Sequence, residues 1–237
     1  VSYLNSLPFV YGLKNWKGKT PVDIQLDIPS ICAEKLISGQ ADIGLIPVAV
    51  LKQMSNYQII SDYCIGANGP VTSVLLLSEV PLEEIETIML DYQSRTSVML
   101  TRILSREFWK IGPVWENTSA DYEKKISGKK AGVVIGDRAL KLKGKFPYEY
   151  DLPEEWKKMT GLPFVFAAWV SRVELSDDFI REFNDSLKQG FDSIEQVIDQ
   201  SESKELNRQD LSDYLKKHID YKLDEKKKEG LNRFLEL

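Results

Sequence analysis

Histidine occurs once in this sequence of 237 residues, at His218, and cysteine twice, at Cys32 and Cys64. The commonest acid–base side chain is therefore almost absent. His218 lies among lysines in DYLKKHIDYKL, where it reads as an exposed helix-end residue better than as a general base. The two cysteines stand far apart, with no C-x-x-C and no histidine neighbour, which excludes the usual zinc and redox motifs. Cys32 in a helix's first turn reads as packed rather than reactive. A reduced, cytosolic setting is the default for such a chain, with a single Cys32–Cys64 disulfide the alternative. No apolar run approaches the ~20 residues of a membrane span, and no secretory leader is legible. The chain opens on Val1, inside what reads as a strand. A basic excess is also missing: the net charge is -5, which argues against a nucleic-acid partner. The one dense charge run, DEKKKEG (224–230), is mixed in sign and reads as a solvated helix face.

What is present is an ordinary globular composition, 43% hydrophobic and 28% charged, enough for one large domain or two modest ones. Strand-like and helix-like segments alternate. VDIQLDIP (22–29) has period two and predicts a strand. SICAEKLISG predicts a short helix, with Ser30 as N-cap and Gly39 as stop. ADIGLIPVAVL (41–51) reads as a buried strand running into a helix, IETIMLD and AGVVIGD as strands, and SRTSVMLTRILSREFW as a helix carrying Leu100, Ile103, Leu104 and Phe108 on one face. From Ile180 onward an apolar stripe (Phe183, Leu187, Phe191, Ile194, Ile198) predicts a long helix, followed by two shorter ones. The pattern is α/β. Two apolar runs, near 64–78 and 161–171, exceed the usual strand of about 5 to 6 residues. Strands crossing between two lobes would explain them. The expectation is a discontinuous lobe of residues 1–70 and 166–237, a second of 71–165, and a cleft between them with two hinge crossings.

Ligands in such folds sit near strand ends and helix N-termini. Applied here, that rule gathers Ser2, Asn5 and Ser6 of the opening VSYLNSLPF, Pro29 and Ser30, GPVTS (69–73), SRTS (94–97), and Gly136 with Asp137. Hydroxyls and free helix N–H groups suit carboxylates. Each residue also has a plain reading. Ser30, Ser94, Ser97 and Asp137 would serve as caps, Arg95 as a surface charge, and Asn5 as a turn former before Pro8.

Taken together, VSYLNSLPF, DIPSICAEKLISGQADIGLIPVAVL, GPVTSVLLLS, LDYQSRTSVMLTRIL, VIGDRAL and YDLPEEWKKMTGLPFVFAAWV resemble the chorismate dehydratase family of the futalosine route to menaquinone. The resemblance runs from residue 1 to about 170, and the helical tail matches in character. It implies a two-lobed fold of the type II periplasmic-binding-protein kind. It implies conversion of chorismate to 3-[(1-carboxyvinyl)oxy]benzoate and water without a cofactor or metal. By position it puts Asn5 and Ser73 nearest the chemistry. Ser30, Ser94, Arg95, Thr96 and Ser97 would hold the two carboxylates, and Gly136 and Asp137 would form a loop of the second lobe.

The cleft loops contain hydroxyls and amides but only one carboxylate, Asp137. The expectation is that the substrate's own enolpyruvyl carboxylate accepts the proton, with Asp137, raised in pKa by burial, as the rival base. Two other readings compete. A solute-binding protein for a small carboxylate would share the fold. So would 1,4-dihydroxy-6-naphthoate synthase, whose first loop of Ser-Pro-Cys-Pro-Asn-Asp type SYLNSLPF does not match.

Overall fold

A computed structural model describes residues 3–201 and 206–237. The opening segment is not a strand end. Tyr3 is extended, Leu4–Ser6 form a 3-10 turn, and helix α1 follows at Leu7–Lys14. Pro8 sits in the first turn of α1, where its missing N–H costs nothing, so it starts a helix instead of stopping a strand. Val1 and Ser2 lie outside the described residues. The alternating segment 22–29 is irregular up to Ile28: it pairs with no strand, and Leu26 is exposed. Period-two alternation makes a strand only where an edge is there to pair with.

The remaining elements follow the α/β order. Helix α2 (Pro29–Ser38) ends at Gly39, whose φ of 80° supplies the left-handed stop. Then come β1 (Ile43–Pro47), β2 (Gln58–Ala67), β3 (Val74–Ser78), β4 (Thr87–Leu90) and α3 (Thr96–Leu104), which runs into a π-helical turn at Ser105–Trp109. They are followed by β5 (Val114–Asn117), β6 (Lys130–Ile135), α4 (Gly136–Leu142), β7 (Tyr148–Asp151), α5 (Leu152–Thr160) and β8 (Phe164–Ser171). The C-terminal part holds α6 (Asp177–Asp192), α7 (Ile194–Asp199), α8 (Arg208–Asp213), a π-helical turn at Tyr214–His218, β9 (Asp220–Lys222) and α9 (Glu225–Glu236). On α3, Leu100, Ile103 and Leu104 are buried as the period predicts, whereas Phe108 falls in the π turn and is exposed. The extra residue of a π turn rotates the stripe away from the core.

Two sheets result. One is antiparallel, in the order β1-β8-β2-β9, with Leu45 opposite Trp169. The other is mixed, in the order β5-β4-β6-β3-β7, with Leu76 opposite Val133. The second sheet comes from one continuous stretch of chain, β3 to β7, inserted between parts of the first. The chain passes outward through residues 68–73 and returns through 161–163. The long apolar runs are therefore not strands shared between sheets. The first is two strands broken by an irregular passage, and β8 pairs wholly within the first sheet. Both passages have local causes. Gly69 and Thr72 hold left-handed φ values of 131° and 62° in the outward one. In the return, Trp156 Nε1 donates to the Pro163 carbonyl at 3.3 Å.

Helix α1 packs on α6 through two glycines. A Cβ on Gly12 would lie 2.0 Å from the Ser186 carbonyl oxygen, and one on Gly190 1.8 Å from that of Pro8. This close approach lets Phe9 reach edge-on contact with Trp169, Phe191 and Tyr221 at centroid distances of 5.4–5.6 Å. The opening turn before α1 is thereby anchored against the first sheet. Among the described residues no helix is long and apolar enough to cross a membrane.

Candidate active site

A cavity lies where the two sheets' passages and helix starts converge. Its walls come from Tyr3 and Asn5 before α1, Pro29 at the start of α2, Val71 and Ser73 in the outward passage, Ser94, Thr96 and Ser97 at the start of α3, Gly136 at the start of α4, and Phe166 and Ala167 of β8. No charged residue is among the described residues that line it.

The structure brings six of the sequence-predicted residues to this cavity: Asn5, Ser73, Ser94, Thr96, Ser97 and Gly136. Three stand elsewhere. Ser30 is neither the cap nor a wall residue. Ile28 occupies the N-cap position, and Pro29 presents the wall. Proline at the first helical position moves the helix start one residue ahead of the serine. Arg95 turns outward and pairs with Glu34 at 3.0 Å, both side chains being largely exposed. That ion pair holds the Arg95 guanidinium away from the cavity that Ser94, Thr96 and Ser97 share. Asp137 is in the first turn of α4 but does not cap it, and the residue before it, Gly136, faces the cavity.

Each wall residue is held by a specific bond. Ser94 Oγ accepts the Ser97 N–H at 3.0 Å, satisfying one of the free amides at the start of α3. Thr96 Oγ1 donates to the Phe166 carbonyl at 3.0 Å and accepts the Ala49 N–H at 3.3 Å, which ties α3 to the first sheet. The Gly136 N–H donates to the Ser73 carbonyl at 2.7 Å. Gly136 has a φ of 62°, and a Cβ there would meet the Tyr3 ring at 3.0 Å, so both the backbone and the space call for glycine. The Asn5 carbonyl accepts the Tyr221 hydroxyl at 3.0 Å, while Asn5 Oδ1 is buried with no hydrogen-bond partner. A buried acceptor without a partner is costly unless a ligand supplies a donor.

Sequence reasoning missed a second layer. The Tyr214 hydroxyl donates to Ser73 Oγ at 2.9 Å from the C-terminal π turn. Burial, the largest influence, pushes the Tyr214 phenol well above its ordinary pKa, against the opposing side-chain hydrogen bonds of Ser73 and Asn5. It stays a protonated donor across neutral pH. Beneath Tyr3 lies a charged cluster. Tyr3 donates to Gln93 Oε1, which also accepts from Arg138 at 3.1 Å. Arg138 pairs with the fully buried Asp91 at 2.6 Å and with Glu123 at 2.5 Å. Burial and the nearby Asp91 carboxylate raise the Tyr3 phenol as well. Finally, the Asp151 carboxylate accepts the amides of Val71 and Thr72 at 2.9 and 2.7 Å, just ahead of Ser73. None of these side chains lies near its partner in sequence. The only sequence signals were the buried-type positions of Asp91 and Asp151 at strand ends.

The arrangement is an uncharged, largely apolar pocket in which a few hydroxyls, one amide and a helix N-terminus are set. It can hold carboxylates by hydrogen bonds, and among the described residues no charged side chain stands at its walls as a base.

Two curated relatives are named chorismate dehydratase. The one from Campylobacter jejuni is 28% identical over 243 residues, 99% of this chain and 94% of that protein. The one from Thermus thermophilus is 27% identical over 194 residues, 70% of this chain and 71% of that protein. Among solved structures, a protein from Archaeoglobus fulgidus superimposes with a TM-score of 0.74 at 13% identity, covering 99% of this chain and 92% of that one. The periplasmic aliphatic sulphonate binding protein of Escherichia coli does so with a TM-score of 0.53 at 14% identity, covering 88% and 73%. At such identities the structures speak for the fold alone, which is the α/β fold of type II periplasmic binding proteins. The family is carried by the sequence: residues 1–237 match the model described as menaquinone biosynthesis, and the chain belongs to that family.

Proposed function

We propose that this protein converts chorismate to 3-[(1-carboxyvinyl)oxy]benzoate and water. The supporting observation is a cavity that joins Asn5 and Ser73 to the hydroxyls at the start of α3 without one charged wall residue among those described, in a chain whose relatives bear the name of that enzyme.

The reaction removes the ring C3 proton and the C4 hydroxyl, and the ring becomes aromatic. Little chemical assistance is needed beyond orientation, a proton acceptor and a donor for the departing oxygen. Positioning alone is worth up to about 7–11 kcal/mol in ideal cases. The ring carboxylate and the enolpyruvyl carboxylate are held by the Ser94 and Ser97 hydroxyls and the free N–H groups at the α3 N-terminus, while the Thr96 hydroxyl stays on Phe166. The enolpyruvyl carboxylate takes the C3 proton. Asn5 Oδ1, a buried acceptor without a partner, receives the substrate hydroxyl and fixes its direction. Ser73 hydrogen-bonds the same oxygen as it leaves with the C4–O electron pair; the C3–H electrons become the new ring double bond, and the proton taken from C3 passes from the enolpyruvyl carboxyl group to the departing hydroxide, giving water. The two lobes, each built on one of the sheets, close over the substrate by bending at the passages 68–73 and 161–163.

The test is to mix the protein with chorismate, without metal or cofactor, and follow chorismate absorbance with mass analysis of the product. Loss of one water with an aromatic enol ether supports the reading. Unchanged chorismate that raises the protein's Tm marks a carboxylate-binding protein instead.

A further inference from the structure

Tyr214 does not line the cavity, yet its hydroxyl reaches the one wall serine placed for the leaving oxygen. It begins the π-helical turn Tyr214–His218, a geometry that aims a side chain differently from the preceding helix and recurs at functional sites. The same turn touches the outward passage a second time: His218 Nδ1 lies 3.4 Å from the Pro70 carbonyl. Tyr214 is 2% exposed and Ser73 likewise 2%, so their 2.9 Å bond is sheltered from water and cannot be replaced by it.

Ser73 has one proton to give. With Tyr214 donating to Ser73 Oγ, one lone pair of that oxygen is occupied and the serine proton is directed elsewhere. Its carbonyl is already held by the Gly136 N–H. The open direction is the cavity. Resting on the dehydratase reading, we infer that Tyr214 is a positioning residue that turns the Ser73 hydroxyl proton toward the substrate's departing oxygen, so that the C-terminal π turn completes the active site from outside it.

The experiment is a double-mutant cycle with Tyr214→Phe, Ser73→Ala and both together. It is read by kcat and KM for chorismate and, separately, by denaturant unfolding. Phenylalanine keeps the buried ring and removes only the hydroxyl. The expected result is a kcat lowered about 10- to 100-fold by Tyr214→Phe with KM within about threefold, the range of a lost transition-state hydrogen bond. The double variant should be no slower than Ser73→Ala if the tyrosine acts through the serine and not through Asn5, its other hydrogen-bond partner. An unchanged kcat in Tyr214→Phe, or losses that multiply in the double variant, would overturn the inference. If the wild type itself leaves chorismate unchanged, the dehydratase reading falls first. The Tyr214–Ser73 bond is then judged by unfolding alone, where shifts that simply add would overturn it.

Discussion

The Asp151 carboxylate accepts the Thr72 N–H at 2.7 Å, and Thr72 stands at a φ of 62°, a left-handed conformation that non-glycine residues rarely adopt. The same oxygen accepts the Val71 amide, and Oδ1 accepts the Glu154 amide at the start of α5. One side chain thus caps a helix and holds the passage that delivers Ser73. Asp151→Ala leaves three amides without their acceptor. A loss of about 2–4 kcal/mol is expected in urea unfolding, with a fall in kcat as Ser73 shifts. An intact kcat would show that the passage keeps its shape unaided.

Burial pushes the Asp151 pKa up to about 6, against the pull of the Thr72, Glu154 and Val71 amides. The folded state therefore holds this proton more tightly than the unfolded chain does. Its contribution to stability is full below the unfolded value and is lost as pH rises through the folded one. Between about pH 4 and 6 this carboxyl should lower stability with rising pH, by up to ~3 kcal/mol. Asp151→Asn should flatten that slope, which unfolding free energies at a series of pH values will check.

Asn5→Ala and Ser73→Ala should each cut kcat by about 100-fold or more while the fold stays intact, as removal of a transition-state hydrogen bond does elsewhere. Single-turnover kinetics with chorismate separate this from weaker binding. A change confined to KM would reassign both residues to binding.

Asp137→Asn should leave kcat within about threefold of wild type, since the substrate's carboxylate is the expected proton acceptor. Near-complete loss of turnover with retained chorismate binding would hand that role to Asp137.

Arg138→Gln strands Asp91, whose side chain is fully buried, without its charged partner. Burial already raises the Asp91 pKa, and Arg138 is the main force opposing it. The variant should lose about 3 kcal/mol. The deficit should grow as pH rises, because Asp91 then ionises in a site that no longer favours the charge. A deficit that is constant across pH would point to lost packing over Tyr92 and Tyr122 instead.

Much of this molecule was legible in its residues. The strands 58–67, 74–78, 87–90, 130–135 and 164–171 are short apolar runs bounded by turn residues, and α2, α3 and α6 carry a helical stripe. These signals are local, so each segment reports its own partner face. Ser73 and the Ser94–Thr96–Ser97 start lie at the cavity for the same reason: they sit at the ends of such segments, where backbone polar groups are free, whereas Asn5 reaches it from a 3-10 turn where a strand end was expected. The segment 22–29 misled because pairing needs a neighbour that no local pattern reveals. Ser30 misled because Pro29 moved the helix start, and Arg95 because it pairs with Glu34, 61 positions away. What only the tertiary structure decided is the support of the site. Tyr214 meets Ser73 across 141 positions, Asp151 meets Thr72 across 79, and Tyr3 meets Gln93 across 90. Such pairs form only when the chain leaves one sheet, builds the second and returns. Their partners are set by that topology and not by spacing along the sequence.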